Sequence, residues 1–291
     1  MLSNYVTIIV GTTTGGIVYL FKDIYDSFKA NDNMKMRNIR QEMKKRVVLI
    51  DFERNDQGVL IENKELQKSL FEMFTTARNQ GGLYIIGSPA HTGKSVYLQE
   101  VLNAYQKESY CTCKSDFKYM KAISMEFEKL TIASVKSCLG IPIDKLMKDF
   151  LPAGSLIIID QFDVTTLSAE HADVFRQLAT SSFNCKKYAV IVNVSNADVY
   201  QALLELNQGQ KVFPACDPLM FQFKEEMMKQ YVTRMDPSCD VEACVSKALR
   251  FHSIGVLRNA VVNSKRKNGF RISDHVSVDW ERFKEVYDKH Y

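Results

Sequence analysis

The stretch Leu83–Leu98, LYIIGSPAHTGKSVYL, decides how the chain is read. An apolar run ends at Gly87, a Gly-Lys-Ser triplet follows at Gly93, Lys94 and Ser95, and the pattern then becomes helical. Strand, loop and helix in that order bring backbone N–H groups, a helix N-terminus and a lysine together around phosphate. The usual spacing places four residues between the first glycine and the Gly-Lys-Ser. Here Gly87 stands one place early, and Ser88 fills the expected position. Glycine is favoured where φ is positive or a ligand comes close. The expectation is therefore a loop of adjusted length, in which Gly87 makes the turn and Gly93 keeps its freedom beside the lysine.

The candidate nucleotide-binding residues are Gly87, Ser88, Pro89, Ala90, His91, Thr92, Gly93, Lys94, Ser95 and Val96. In such a loop Lys94 reaches the β- and γ-phosphates, and the Ser95 hydroxyl is a ligand for Mg²⁺. A partner lies downstream in SLIIIDQFD (Ser155–Asp163), the most strand-like run in the chain. Its apolar residues end in Asp160, a carboxylate that can hold Mg²⁺ through its water shell. Gln161 is next, where a proton acceptor would activate water; a glutamine orients water but takes no proton. Asp163 is an alternative carboxylate, or a helix N-cap before VTTLSAE. The strand YAVIVNVSN (Tyr188–Asn196) ends in the polar candidates Asn193, Ser195 and Asn196. Asn196 is chosen for the γ-phosphate or the lytic water, with a helix cap as its alternative role. Arg258, in GVLR (Gly255–Arg258), either reaches the nucleotide from a later helix or is a surface arginine.

Strands alternating with helices predict a parallel sheet covered on both faces, with ligands at the carboxyl ends of the strands. Further candidate strands are VVLIDF (Val47–Phe52), YMKAISMEF (Tyr119–Phe127) and KVF (Lys211–Phe213). Helices are expected at Glu62–Gln80, Ser95–Gln106 and Ala169–Thr180. From Asp217 the pattern is helical throughout, which reads as a small second domain. The expected division is a membrane segment (1–21), a basic linker (22–46), a nucleotide-binding core (47–216) and a helical lid (217–291).

The 291 residues are 46% hydrophobic and 25% charged, the composition of a folded protein. Residues 1–46 hold eight Lys/Arg against four acids, so the net charge of +4 resides there and residues 47–291 balance to zero. The body is thus not a basic nucleic-acid binder by charge. Seven cysteines without zinc-site spacing read as reduced thiols.

Met1–Phe21 carries no charged side chain, and the apolar run Tyr5–Phe21 is near the minimum length of a membrane-spanning helix. Positive charge lies only after the run, which sets the body on the cytosolic or an equivalent inner side. A buried apolar element of the domain is the alternative. Gly11 and Gly15 match a small-xxx-small helix-pairing pattern, so a homo-oligomer is among the expected states.

Together these residues resemble the P-loop NTPases of the AAA+ and STAND groups, over about Ile61–Lys267. GSPAHTGKS is similar to the Walker A motif, IIIDQFD to Walker B, NVSN to the sensor-1 strand end and GVLR to the sensor-2 motif of a helical lid. The resemblance implies a three-layer α/β sandwich with a five-stranded parallel sheet, and ATP and Mg²⁺ bound between sheet and lid. With the uncharged N-terminal run, the leading reading is a membrane-anchored ATPase acting on an unknown protein client. The missing Glu after Asp160, and the absence of an arginine in ALLELNQGQ before KVF, leave open a nucleotide switch with little hydrolysis. A third reading, a nucleic-acid-processing ATPase on membranes, rests on Lys265, Arg266, Lys267 and Arg271.

Overall fold

Gly82–Gly87 (β1), Ser155–Phe162 (β3) and Tyr188–Val194 (β4) form the centre of the molecule, and every described side chain of β1 and β4 is buried. Strands covered on both faces need apolar residues on both faces, which is why these segments read as continuous apolar runs. Ile123–Ser124 (β2) and Val212–Pro214 (β5) are the edges. The five strands are parallel, in the order β2-β3-β4-β1-β5, so β1 lies between β4 and β5 while the chain crosses to the far edge to make β2.

The computed structural model describes residues 61–98, 100–102, 123–124, 155–162, 164–207, 209–264 and 279–291. The expected membrane segment and basic linker, the strand at 47–52, Asp163, most of 119–127 and the basic residues 265–267 and 271 lie outside the described residues. The chain divides into the units Met1–Lys45 and Arg46–Tyr291, and all described residues belong to the second. Among them, no helix is long and apolar enough to cross a membrane.

Lys64–Gln80 (α1) buries Leu66, Leu70, Met73, Phe74 and Ala77 on one face, the spacing of an amphipathic helix. Asn63 caps it, accepting from the Leu66 N–H, and its side-chain amide donates to the Met220 carbonyl at 3.0 Å. Ala169–Cys185 (α2) extends past the expected end at Thr180 and leads into β4. Ala197–Leu204 (α3) comes after β4. After a 3₁₀ turn at Pro218–Phe221 come Glu225–Met235 (α4), Val241–Leu249 (α5), Ile254–Ser264 (α6) and Trp280–His290 (α7).

The expected boundary at 216/217 marks the change to helical structure but no break in packing. One apolar core joins Leu66, Phe74 and Ile86 to Phe221, Phe223, Val245 and Leu257. The last helix returns to the sheet side. Phe283 packs on Tyr200 of α3 with ring centroids 5.6 Å apart, and Arg282 donates to the Gln201 side chain at 2.5 Å.

α2 begins with a capping box, in which Ser168 Oγ accepts from the His171 N–H and His171 Nδ1 accepts from the Ser168 N–H. Burial pushes the His171 imidazole below its ordinary value, against the opposing pull of Glu170. Only the neutral ring can accept at Nδ1. The contribution is therefore complete above the unfolded histidine value near 6.5 and is lost as pH falls through the lower folded value. As pH falls from 7 through the histidine range, the wild type should lose stability that His171→Gln, which also accepts at this position, retains. Urea unfolding of both proteins across that range checks this; equal losses would remove His171 from the account.

Candidate nucleotide-binding site

The loop leaves β1 at Gly87, and a helix begins at Lys94. It closes on itself through side chains. Ser88 Oγ and Thr92 Oγ1 share a hydrogen bond of 2.8 Å, and Thr92 Oγ1 donates to the Pro89 carbonyl at 2.9 Å. Ser88 and Thr92 are fully buried, so these bonds satisfy hydroxyls that would otherwise be costly. This is how a serine is accommodated in the glycine position. The Lys94 ammonium is buried as well and donates to the carbonyls of Ser88 at 2.6 Å and Pro89 at 2.7 Å.

The structure corrects the expected role of Gly87. It is the last residue of β1, paired with Val194, and has no positive φ; the left-handed positions of the loop are His91 (φ 61°) and Gly93 (φ 85°). Gly87 is needed for a different reason: a Cβ there would lie 2.6–2.7 Å from ring carbons of Tyr200 on α3.

A β-bulge-like shift sets the acidic end of the site. Ile159 pairs with Val192, yet Phe162 pairs with Val194, so β3 carries one extra residue around Asp160–Gln161. Such irregularities re-aim side chains at strand ends. Asp160 is buried, and its Oδ1 accepts from Ser95 Oγ at 2.8 Å and from Asn193 Nδ2 at 2.5 Å. Asn193 Nδ2 also lies 3.4 Å from Ser95 Oγ. β1, β3 and β4 thus deliver the loop serine, the aspartate and the asparagine to one point. Asn193 Oδ1 is buried with no hydrogen-bond partner among the described residues.

That point suits a hard divalent cation: a hydroxyl and a carboxylate oxygen are in contact, and an amide oxygen beside them is unsatisfied. No group of three His, Cys, Asp or Glu is placed to hold a metal among the described residues. A cation such as Mg²⁺ would take its remaining ligands from phosphate and water, as it commonly does.

Asn196, expected at the γ-phosphate, takes the alternative role of a helix cap. Its side chain caps α3, accepting from the N–H groups of Asp198 at 2.9 Å and Val199 at 3.1 Å. The asparagine that meets Asp160 is Asn193, which stands out in the sequence as an amide inside the apolar run YAVIVNV. Gln161 belongs to β3, although its side chain, like the whole of Asp163, lies outside the described residues. Arg258 is exposed on α6, one turn from the helix start. Pro89 is buried, Ala90 half-buried, and His91 and Val96 are exposed.

The first turn of α6 itself touches the loop. The His91 carbonyl accepts from the Gly255 N–H at 2.8 Å and from the buried Ser253 hydroxyl at 2.9 Å. A Cβ on Gly255 would lie 2.7 Å from the His91 Cβ, so the glycine of GVLR permits this approach. Sequence reasoning missed Ser253, since a serine before a helix signals only a cap.

The loop, the acid strand and the parallel sheet with helices give this chain its resemblance to the P-loop ATPases of the AAA+ type. No protein-family model and no curated protein sequence matches it. Solved structures to which it is similar include Cdc6p from Pyrobaculum aerophilum, at 14% identity over 74% of this chain and 62% of that one, TM-score 0.46. A chain of Drosophila ORC bound to DNA gives 14% identity over 85% and 65%, TM-score 0.46. A point variant of Thermotoga maritima RuvB gives 10% identity over 78% and 69%, TM-score 0.42. The chain spans less than two thirds of the Cdc6p and ORC chains. At these scores the fold rests on the sheet order and the loop geometry.

The contact between Gly87 and Tyr200 is testable alone. Gly87→Ala should cost about 1–3 kcal/mol by overpacking against the buried ring. Tyr200→Leu should remove most of that cost, so the double variant is more stable than the sum of the single changes implies. Additive effects in urea unfolding would show that the ring does not confine Gly87.

Proposed function

We propose that the protein binds ATP as its Mg²⁺ complex in the loop 87–96 and hydrolyses it. The observation that carries the reading is the 2.8 Å contact between the loop serine, Ser95, and the strand-end carboxylate, Asp160, beside the buried Lys94. Ser95 and Asp160 are the residues that would hold Mg²⁺, whose charge would offset that of the phosphates. Lys94 exchanges the Ser88 and Pro89 carbonyls for the β- and γ-phosphate oxygens, and the start of the loop helix supplies backbone N–H groups. Asn193 holds the orientation of Asp160 through its amide N–H, while its own amide oxygen is buried and unsatisfied. Arg258, on the helix whose first turn touches the loop, is the residue of α6 assigned to the nucleotide. Coupling of hydrolysis to a protein client then runs through α6.

A second reading, a nucleotide switch with little hydrolysis, is favoured by Gln161 directly after Asp160. Equilibrium binding of Mg-ATP and steady-state phosphate release by the full chain separate the two. Lys94→Ala should weaken binding about 10- to 100-fold, the loss of charge-assisted hydrogen bonds to phosphate. Wild-type turnover above that of Lys94→Ala supports the ATPase. Turnover equal to it, with ATP still bound by the wild type, leaves the switch. If the wild type binds no ATP, both readings fall.

The uncharged run 1–21 and its basic flank support a single membrane anchor, with the body on the cytosolic or an equivalent inner side. The full chain should stay with membranes through alkaline carbonate washing, while a chain lacking residues 1–46 should not. Release of the full chain by that wash would remove the anchor.

A further inference from the structure

The α4–α5 connection brings two thiols into contact at a place the nucleotide site does not use. Cys239 Sγ and Cys244 Sγ are 3.2 Å apart, so a small approach brings them to the ~2.05 Å of a sulfur–sulfur bond. The reason is helix capping. Asp240 is the N-cap of α5, accepting from the Ala243 N–H at 3.0 Å, which makes Cys239 the residue before the cap and Cys244 the fourth of the helix. Side chains at those two positions commonly pack as a hydrophobic staple. In this chain both are cysteines, so the staple can become covalent.

The segment leading into the staple is held in place. Asp236, itself buried, accepts from the Ser238 N–H at 3.1 Å and the Ser238 hydroxyl at 2.7 Å, and its carbonyl accepts from the Cys239 N–H at 3.1 Å. The two sulfurs differ in access: Cys239 is half-buried and Cys244 buried. Burial, with the Cys239 thiol as hydrogen-bond partner, pushes the Cys244 thiol up to about 12. Only a thiolate attacks a disulfide, so the more accessible Cys239 is the sulfur suited to meet an external oxidant.

We propose that Cys239 and Cys244 form a redox modification site, which a small-molecule disulfide converts to an intramolecular disulfide across the first turn of α5. In the first step the Cys239 thiolate attacks one sulfur of the small disulfide, breaking its S–S bond and expelling one thiolate. In the second, Cys244 gives its proton to solvent and attacks Cys239 Sγ, and the second small thiolate leaves. The two protein thiols are oxidised by two electrons, and one small disulfide is reduced to two thiols. α5 shares the apolar core with α4 and with α6, whose first turn holds His91, so the modification falls on the helical layer behind the loop.

Incubation of the full chain with glutathione disulfide, then denaturation, alkylation and trypsin digestion, tests this. Both cysteines lie in one tryptic peptide, residues 235–247. The expected peptide is two hydrogens lighter than the dithiol, takes up no alkylating agent, and returns to the dithiol on reduction. Cys244→Ser should instead accumulate glutathione on Cys239, and Cys239→Ser should leave Cys244 alkylated as a free thiol. Two outcomes in the wild type would overturn the proposal: stable glutathione on Cys239 without ring closure, or both thiols alkylated after exposure to the oxidant.

Discussion

The carboxylate of Asp160 is where the sheet and the loop become one structure. It is buried, so it must be satisfied, and the groups that satisfy it come from different elements: Ser95 after β1 and Asn193 from β4. The extra residue in β3 places it there, at the carboxyl ends of three adjacent parallel strands. Removing the acid would leave Ser95 and Asn193 facing each other without an anionic acceptor. Keeping the acid obliges β1 and β4 to hold their register, because Ile86 sits opposite Asn193 and Gly87 opposite Val194. The site's geometry and the sheet's alignment are thus fixed by the same hydrogen bonds.

The parts of this arrangement legible in the sequence are those in which a local pattern has one physical solution. Apolar runs ending in Gly87 and Asp160 read as buried strands, and Gly-Lys-Ser before a helix reads as a phosphate loop. What escapes the sequence depends on tertiary contact. A glycine beside a loop suggests a turn, yet the actual constraint on Gly87 is Tyr200, 113 positions downstream, whose ring leaves no room for a Cβ there. Asn193 and Asn196 are equally polar and close to the same strand end, and only the bulge decides that Asn193 meets Asp160 while Asn196 caps α3. Helical periodicity after Asp217 shows that each helix buries a face, but not against what. Phe221, Phe223 and Leu257 share a core with α1 and β1, which no pattern within that segment specifies.

The contact between His91 and α6 gives the helical layer a direct hold on the loop. A non-glycine residue in the left-handed region carries strain of about 1 kcal/mol or more, sustained when the surroundings fix it. Here two donors from the start of α6 fix it, and Gly255 lets the helix come close enough to donate. Displacing α6 would unsatisfy the buried Ser253 hydroxyl and the His91 carbonyl together, while freeing His91 to leave its strained conformation. The loop's shape and the helix's position are therefore alternatives of one element rather than two independent variables.

The same loop sets what a phosphate must overcome. Lys94 is already satisfied by the Ser88 and Pro89 carbonyls, and the Ser88 hydroxyl by Thr92. An incoming phosphate competes with neutral dipoles for the ammonium, and a hydrogen bond to a charged acceptor is about twice as strong. The exchange is favourable for the lysine, but it leaves two carbonyls to find other donors or solvent. In the proposed function, binding and hydrolysis would therefore draw on different residues. Affinity would be decided by how Lys94 and the carbonyls of Ser88 and Pro89 redistribute their bonds. The fate of the γ-phosphate would depend instead on the residue directly after Asp160 in β3, where the chain places Gln161. On that proposal the loop would hold nucleotide whatever the rate of its hydrolysis.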